Sequence, residues 1–249
     1  VGGSGILSVA GAFSWSAGDE TGSGTTRVPA GGTLSIAAGA VGSVSLHGGR
    51  TLLNEGTTTW SSGTIFAGEG AAIQNAGSFQ ISGDNNLSFA FGGATPLLHN
   101  TGTFAKAAGS GTTTIGVTLD NDGTLQAQTG TLSLSGGDTT TTSGSFGGSG
   151  GGLVAFDGGT YTLGAGASFT GAVALTSATV TVGGAVAATA ASAVAMSGGT
   201  LNGTGTLTVA GSFAWTGGDQ SGAGTTKISA GGTLSIAAGA VGSVSLHGG

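Results

Sequence analysis

The sequence contains no cysteine, which removes disulfide frameworks, thiolate metal sites and cysteine nucleophiles together. Basic residues are almost as scarce: four Lys plus Arg stand against ten Asp plus Glu, for a net charge of −6. So few cations cannot build the footprint that a phosphate backbone or an anionic bilayer surface requires, and neither nucleic acid nor a membrane surface is expected as a partner. No apolar run approaches the roughly 20 residues of a spanning helix, so no membrane-spanning segment is expected. The nearest run, Ala185 to Met196, is Ala-rich and bounded by glycines, and is expected as strand and turn or a short surface helix. With two prolines and no glycine at every third position, collagen is excluded despite 57 glycines.

What is present is repetition. The stretch from Ala30 to Gly49, AGGTLSIAAGAVGSVSLHGG, returns letter for letter at Ala230 to Gly249, and Gly5 to Pro29 matches Gly205 to Ser229 with small changes. Leu7, Val9, Phe13 and Trp15 are identical to Leu207, Val209, Phe213 and Trp215, whereas positions 6, 8, 12, 14 and 16 vary. One invariant apolar face with a period of two is the mark of a half-buried strand. Arg27 against Lys227 and Glu20 against Gln220 read as outward residues free to drift between copies. The second copy stops partway through a 200-residue unit, which leads us to expect a window on a longer tandem array with residues 1–249 forming one continuous body.

A shorter period lies within the unit. Asn-x-Gly-[Ser/Thr] followed by alternating apolar residues begins at Asn54, Asn75, Asn100 and Asn121, at spacings of 21, 25 and 21 residues. Short strands separated by Gly or Asn corners on such a beat predict a β-solenoid in which one repeat is one coil. The fold expected is all-β: a parallel β-helix with about three short strands per coil of 20 to 27 residues. From Leu7 to Ile36 the pattern reads LSV, FSW, TTRV and then TLSI, giving three strands before a restart. Aliphatic and aromatic residues are expected in the lumen, Ser and Thr outside, and the corner Asn side chains in a hydrogen-bonded ladder.

The strings GTLTVAGSFAWTGGDQSGAGTTKISAGGTLSI and NTGTFAKAAGSGTTTIGVTLDNDGTLQAQTGTLSLSGG resemble the Gly/Thr-rich repeats of very large bacterial secreted β-helix proteins, the autotransporter passengers and filamentous haemagglutinin-like adhesins. The resemblance is one of repeat style and covers nearly the whole chain. It implies a right-handed helix and a place outside the cell or on its surface, and it transfers no functional residue.

Chemistry is sparse. The acids lie mostly singly at turns; the densest group is Asp120 and Asp122 around Asn121, with Lys106 as a basic neighbour a coil away. His47 (repeated as His247) reads as a turn residue. His99 precedes a corner Asn, and neither kind has a second ligand at linear metal-ligand spacing. The acidic turns at 17–24 and 217–224 only partly resemble a calcium nonapeptide. Asn86 and Asn202 fit a glycosylation pattern, and the Thr tracts do not recur on the coil beat as an ice-binding face would require. Trp60 is the aromatic to inspect for exposure. No catalytic, cofactor-binding or metal residue is assigned, and no enzyme activity is expected. The leading expectation is a structural repeat segment of an extracellular filament or surface stalk whose partners are copies of itself end to end. The alternative is an adhesin that binds carbohydrate or a surface through one face; a polysaccharide-degrading enzyme is the third reading.

Overall fold

The computed structural model describes residues 1–40, 42–238 and 243–248. Part of the second copy, residues 239–242 and 249, lies outside them. Among the described residues every regular element is a strand and none is a helix. The strands pair in parallel, coil upon coil, as a β-solenoid of about 21 residues per turn. The chain divides into two compact units, Val1–Leu125 and Gln126–Gly249, the division falling within the strand Thr124–Ala127.

In the first unit each coil contributes a strand to three faces. The first face runs through Ile6–Ser8, Thr25–Val28, Thr51–Asn54, Ala72–Asn75, Leu97–Asn100 and Thr118–Asn121. The second holds Ala12–Trp15, Thr33–Ala37, Thr57–Ser62, Ser78–Ile81 and Thr103–Lys106. The third holds Asp19–Glu20, Ser43–Leu46, Thr64–Ala67, Leu87–Phe89 and Thr112–Ile115.

Three strands per coil agree with the expectation, but their assignment does not. TTRV (Thr25–Val28) pairs with Ile6–Ser8 and therefore opens the next coil, while the third strand of the coil before is the two-residue Asp19–Glu20. That strand was illegible because its inward residue is charged rather than apolar. Glu20 is buried, not outward, and Gln220 likewise; the expectation of drifting surface residues holds for Arg27, whose guanidinium pairs with Glu55 on the outside, and for the exposed Lys227.

The alternation of each strand becomes a ladder. Leu52, Ile73, Leu98 and Leu119 stack in register on the first face, Phe79 and Phe104 on the second, and Val44, Ile65 and Leu87 on the third. The Phe79 and Phe104 rings stack at 4.9 Å. Each such side chain removed from water is worth about 1.5–3 kcal/mol. All of these side chains are buried.

The Asn-x-Gly motif has a double cause. Asn54, Asn75, Asn100 and Asn121 are buried in one register row, and the Nδ2 of each of the first three donates to the Oδ1 of the next at 2.7 Å. The two residues after Asn75, Asn100 and Asn121 then donate backbone N–H bonds to the carbonyl of the Asn a coil earlier, as Ala76 and Gly77 do to Asn54. The glycine is required because a Cβ at Gly77 would strike the carbonyl oxygen of Gly56, as one at Gly102 would strike that of Gly77. The corner is thus buried and closed to side chains, with Asn54 Oδ1 at the start of the ladder left without a hydrogen-bond partner.

The second unit repeats the principle with different strands. Thr131–Leu134, Leu153–Phe156, Ala172–Leu175 and the first residues of Ala193–Gly203 stack in one row; Thr160–Leu163 and Thr179–Val182 lead in another to the later residues of that same 11-residue strand. Ala185–Ala188 and Thr206–Val209 pair on a third. The Ala-rich run is therefore two strands and no helix. Phe156 anchors the core, with Phe146, Tyr161 and Phe169 at 5.2, 5.0 and 6.1 Å. Tyr161 accepts a hydrogen bond from the Gly137 N–H at 3.0 Å, and burial pushes its phenol far above the ordinary range.

Candidate functional site

Two features break the regular pattern of the first unit. One is a pair of charges turned into the lumen. Lys106 stands in the row Ile36, Trp60, Ile81, where its neighbours are apolar, and its ammonium is fully buried. Its three protons match three acceptors: Asp84 Oδ1 at 2.6 Å and the carbonyls of Gly83 and Ala108 at 3.0 and 3.1 Å. The hydrogen bond from Lys106 holds the Asp84 carboxyl below its ordinary value, against a smaller opposing effect of desolvation, and the Gly111 N–H adds to the lowering. More than one coil earlier Arg50, buried, donates to Glu20 Oε2 at 3.1 Å and to Thr26 Oγ1 at 2.8 Å. Thr26 in turn donates to Glu20 Oε2 at 2.6 Å. Both are buried internal pairs; the three protons of Lys106 are all used, whereas Glu20 Oε1 has no hydrogen-bond partner. Lys106 is consequently not the basic neighbour of Asp120 and Asp122, and Glu20 is not available to the calcium-like turn at 17–24.

The other feature is the group at Asp120 and Asp122. Register places His99 beside Asp120, and its Nε2 lies 3.7 Å from Asp120 Oδ2 and 3.7 Å from Asp122 Oδ2. The three side chains present one donor atom each within 4.8 Å of one another. One imidazole and two carboxylates form a donor set of the type that binds borderline divalent metals. Asp120 Oδ1 is buried without a hydrogen-bond partner.

The linear search for metal ligands missed this group because 21 residues separate His99 from Asp120. That separation is the coil period already visible between Asn100 and Asn121, so the repeat itself contained the signal. The cluster lies on a partly open face; two depressions lie elsewhere, one of about 300 Å³ lined by Ser61, Thr64, Asp84 and Asn85 among others, and one of about 360 Å³ in the second unit. The structure therefore brings three groups together that the linear sequence keeps apart.

The remaining sequence candidates have structural employment. Trp60 is buried, its indole N–H donating to the Gly63 carbonyl at 3.2 Å. Asn86 Oδ1 accepts from the Thr114 N–H and Asn202 Oδ1 from the Thr181 hydroxyl, so both belong to inter-coil contacts. His47 is in a turn, as expected, where its Nδ1 meets Glu69 Oε2 at 3.1 Å. The fold and these sites define the chain as a parallel β-solenoid with internal tandem repetition. No family model, no curated protein and no solved structure matches it.

Proposed function

We propose that the chain is a structural repeat segment of an extracellular filament or surface stalk, a scaffold extended by adding coils. The observation that carries this reading is the register of the two copies. In the first, Ile6, Leu7 and Ser8 stand on Thr25, Thr26 and Arg27; in the second, Thr206, Leu207 and Thr208 stand on Thr225, Thr226 and Lys227. Ala12 to Trp15 on Thr33 to Ile36 likewise returns as Ser212 to Trp215 on Thr233 to Ile236. A 200-residue unit that reproduces coil register can be repeated without a change of local geometry, which is what a filament demands. Internal ion pairs and low surface charge suit a passive, protease-resistant body, and the partners it implies are further copies end to end. A location outside the cell or on its surface belongs to the same proposal and is supported by the style of the repeat.

The test is to join one, two and three 200-residue units in a single chain and measure contour length by electron microscopy. At about 4.8 Å per coil each unit should add roughly 45 Å. Particles whose length does not grow with unit number would overturn the scaffold reading.

A further inference from the structure

One corner of the first unit departs from economical solenoid building. The coil between Asn75 and Asn100 has 25 residues, against 21 for the coils on either side. Most of the excess lies in residues 90–96, where the corresponding turn one coil earlier has only residues 68–71. In the coil that follows, two residues, Gly116 and Val117, make the same corner, and only Leu87 keeps a partner, Ile115. Phe89, whose place in the strand points it inward, is therefore left uncovered, and the longer loop carries Phe91 beyond it; both rings are about half exposed.

The loop is nonetheless fixed. The Ala90 N–H donates to the Ala67 carbonyl, while the carbonyls of Gly92 and Ala94 accept from Glu69 and Gly70, at 2.7 to 2.9 Å. It folds back across the turn at 68–71, so that Phe91 stacks on His47, two coils away, at 4.6 Å with an interplanar angle of 29°. Glu69 lies between, accepting the His47 Nδ1–H at 3.1 Å, with nearly half of its side chain exposed.

The backbone at this corner is unusual for this chain. Among the described residues the left-handed conformation is adopted almost entirely by glycine; the two exceptions are Glu69, with φ of 54°, and Phe91, with φ of 63°. A chain with 57 glycines has the obvious residue at hand for both places. Two strained side chains on adjacent coils of one corner, both solvent-facing, point to a role for the side chains themselves.

We propose that Phe91, Phe89, Glu69 and His47 form a binding shelf for a neutral carbohydrate. Phenylalanine rings offer flat apolar faces to the C–H face of a pyranose, and the carboxylate and imidazole offer acceptors for its hydroxyls. An acidic sugar or a phosphate is disfavoured, because no lysine or arginine side chain serves the corner. Within the first unit Arg27 pairs with Glu55, and Arg50 and Lys106 are buried. The shelf is independent of the scaffold reading, since a filament needs no exposed ring there.

The experiment uses the full chain and four neutral hexasaccharides, the β-1,4-glucan, α-1,4-glucan, β-1,3-glucan and β-1,4-N-acetylglucosamine oligomers, with an oligogalacturonate as the anionic probe. Binding is followed by NMR shift changes. The expected result is saturable binding of at least one neutral oligomer, with changes centred on His47, Glu69, Phe89 and Phe91. Phe91→Gly and Glu69→Gln should each weaken it tenfold or more. Cooperative melting of both variants confirms the fold, and Glu69→Gln, which keeps shape and size, stands as the test if Phe91→Gly perturbs the loop. The proposal is overturned if no neutral oligomer binds at concentrations on the order of 10 mM. It is equally overturned if both variants bind as the parent does, or if the anionic probe binds more tightly than every neutral one.

Discussion

Residues 30–38 and 230–238 have the same sequence and form the same strand, yet one copy is core and the other is surface. Leu34 and Ile36 are 2% and 0% exposed; Leu234 and Ile236 are 46% and 54%. The difference is the coil Arg50 to Asn75, whose Thr58 and Trp60 stand on Leu34 and Ile36. The same contrast runs the other way at the preceding strand, where Leu207 is buried and Leu7 is partly open. Sequence therefore sets strand, parity and register, and the neighbouring coil alone decides burial. In a solenoid the free energy of a side chain belongs to a pair of coils rather than to one.

Equivalent substitutions in the two copies should accordingly have unequal effects, most sharply at the internal charge. Glu20→Gln, which writes the second copy's residue into the first, leaves Arg50 buried without its counter-charge and should cost about 3–5 kcal/mol of local stability. Gln220→Glu, at a buried side chain that accepts from Thr226 at 2.7 Å, strands no pre-existing cation and should cost less, about 1–3 kcal/mol. Native-state hydrogen exchange followed residue by residue reads both, because local opening in a repeat array is not a single two-state event. Next in size, Ile36→Ala should cost about 2–5 kcal/mol and Ile236→Ala under about 1 kcal/mol by the same measurement. Equal costs at the two positions would break the comparison.

The polar ladder offers a milder contrast. Asn75→Ala removes two donated bonds, to Asn100 and to the Thr103 carbonyl, and leaves the Asn54 amide short of a partner. A loss of about 1–3 kcal/mol is expected, against about 0.5 kcal/mol for the half-exposed Asn202→Ala. Urea titration monitored at amides of each unit distinguishes them.

The smallest effect is acid sensitivity confined to the first unit. Because Lys106 lowers the Asp84 pKa, the stabilisation is full above the ordinary value of 3.8 and is lost as pH falls below it through the folded value. The carboxylate is partly exposed and solvent screens it, so the shift in urea midpoint should be modest. Asp84→Asn should abolish this part of the acid dependence and leave the second unit's profile unchanged.

Much of this was legible because repetition translates directly into register. The spacing of Asn54, Asn75, Asn100 and Asn121 contained the coil, the ladder and, one residue earlier, the meeting of His99 with Asp120. What escaped the sequence was whatever violates apolar-in, polar-out alternation. Glu20 and Lys106 are inward charges whose partners, Arg50 and Asp84, are supplied by neighbouring coils. Phe89 and Phe91 are exposed through the difference in length between successive corners, which no single coil reveals.

The central claim is that burial is conferred by the next coil, and it is tested most directly by extending the chain after Gly249 with a second copy of residues 50–76. Amide exchange at Leu234, Ile236 and Leu246 would then be compared with that at Leu34, Ile36 and Leu46. Protection at the second set rising to the level of the first is the predicted result. Protection unchanged by the added coil, with the extended chain otherwise folded, would contradict the account.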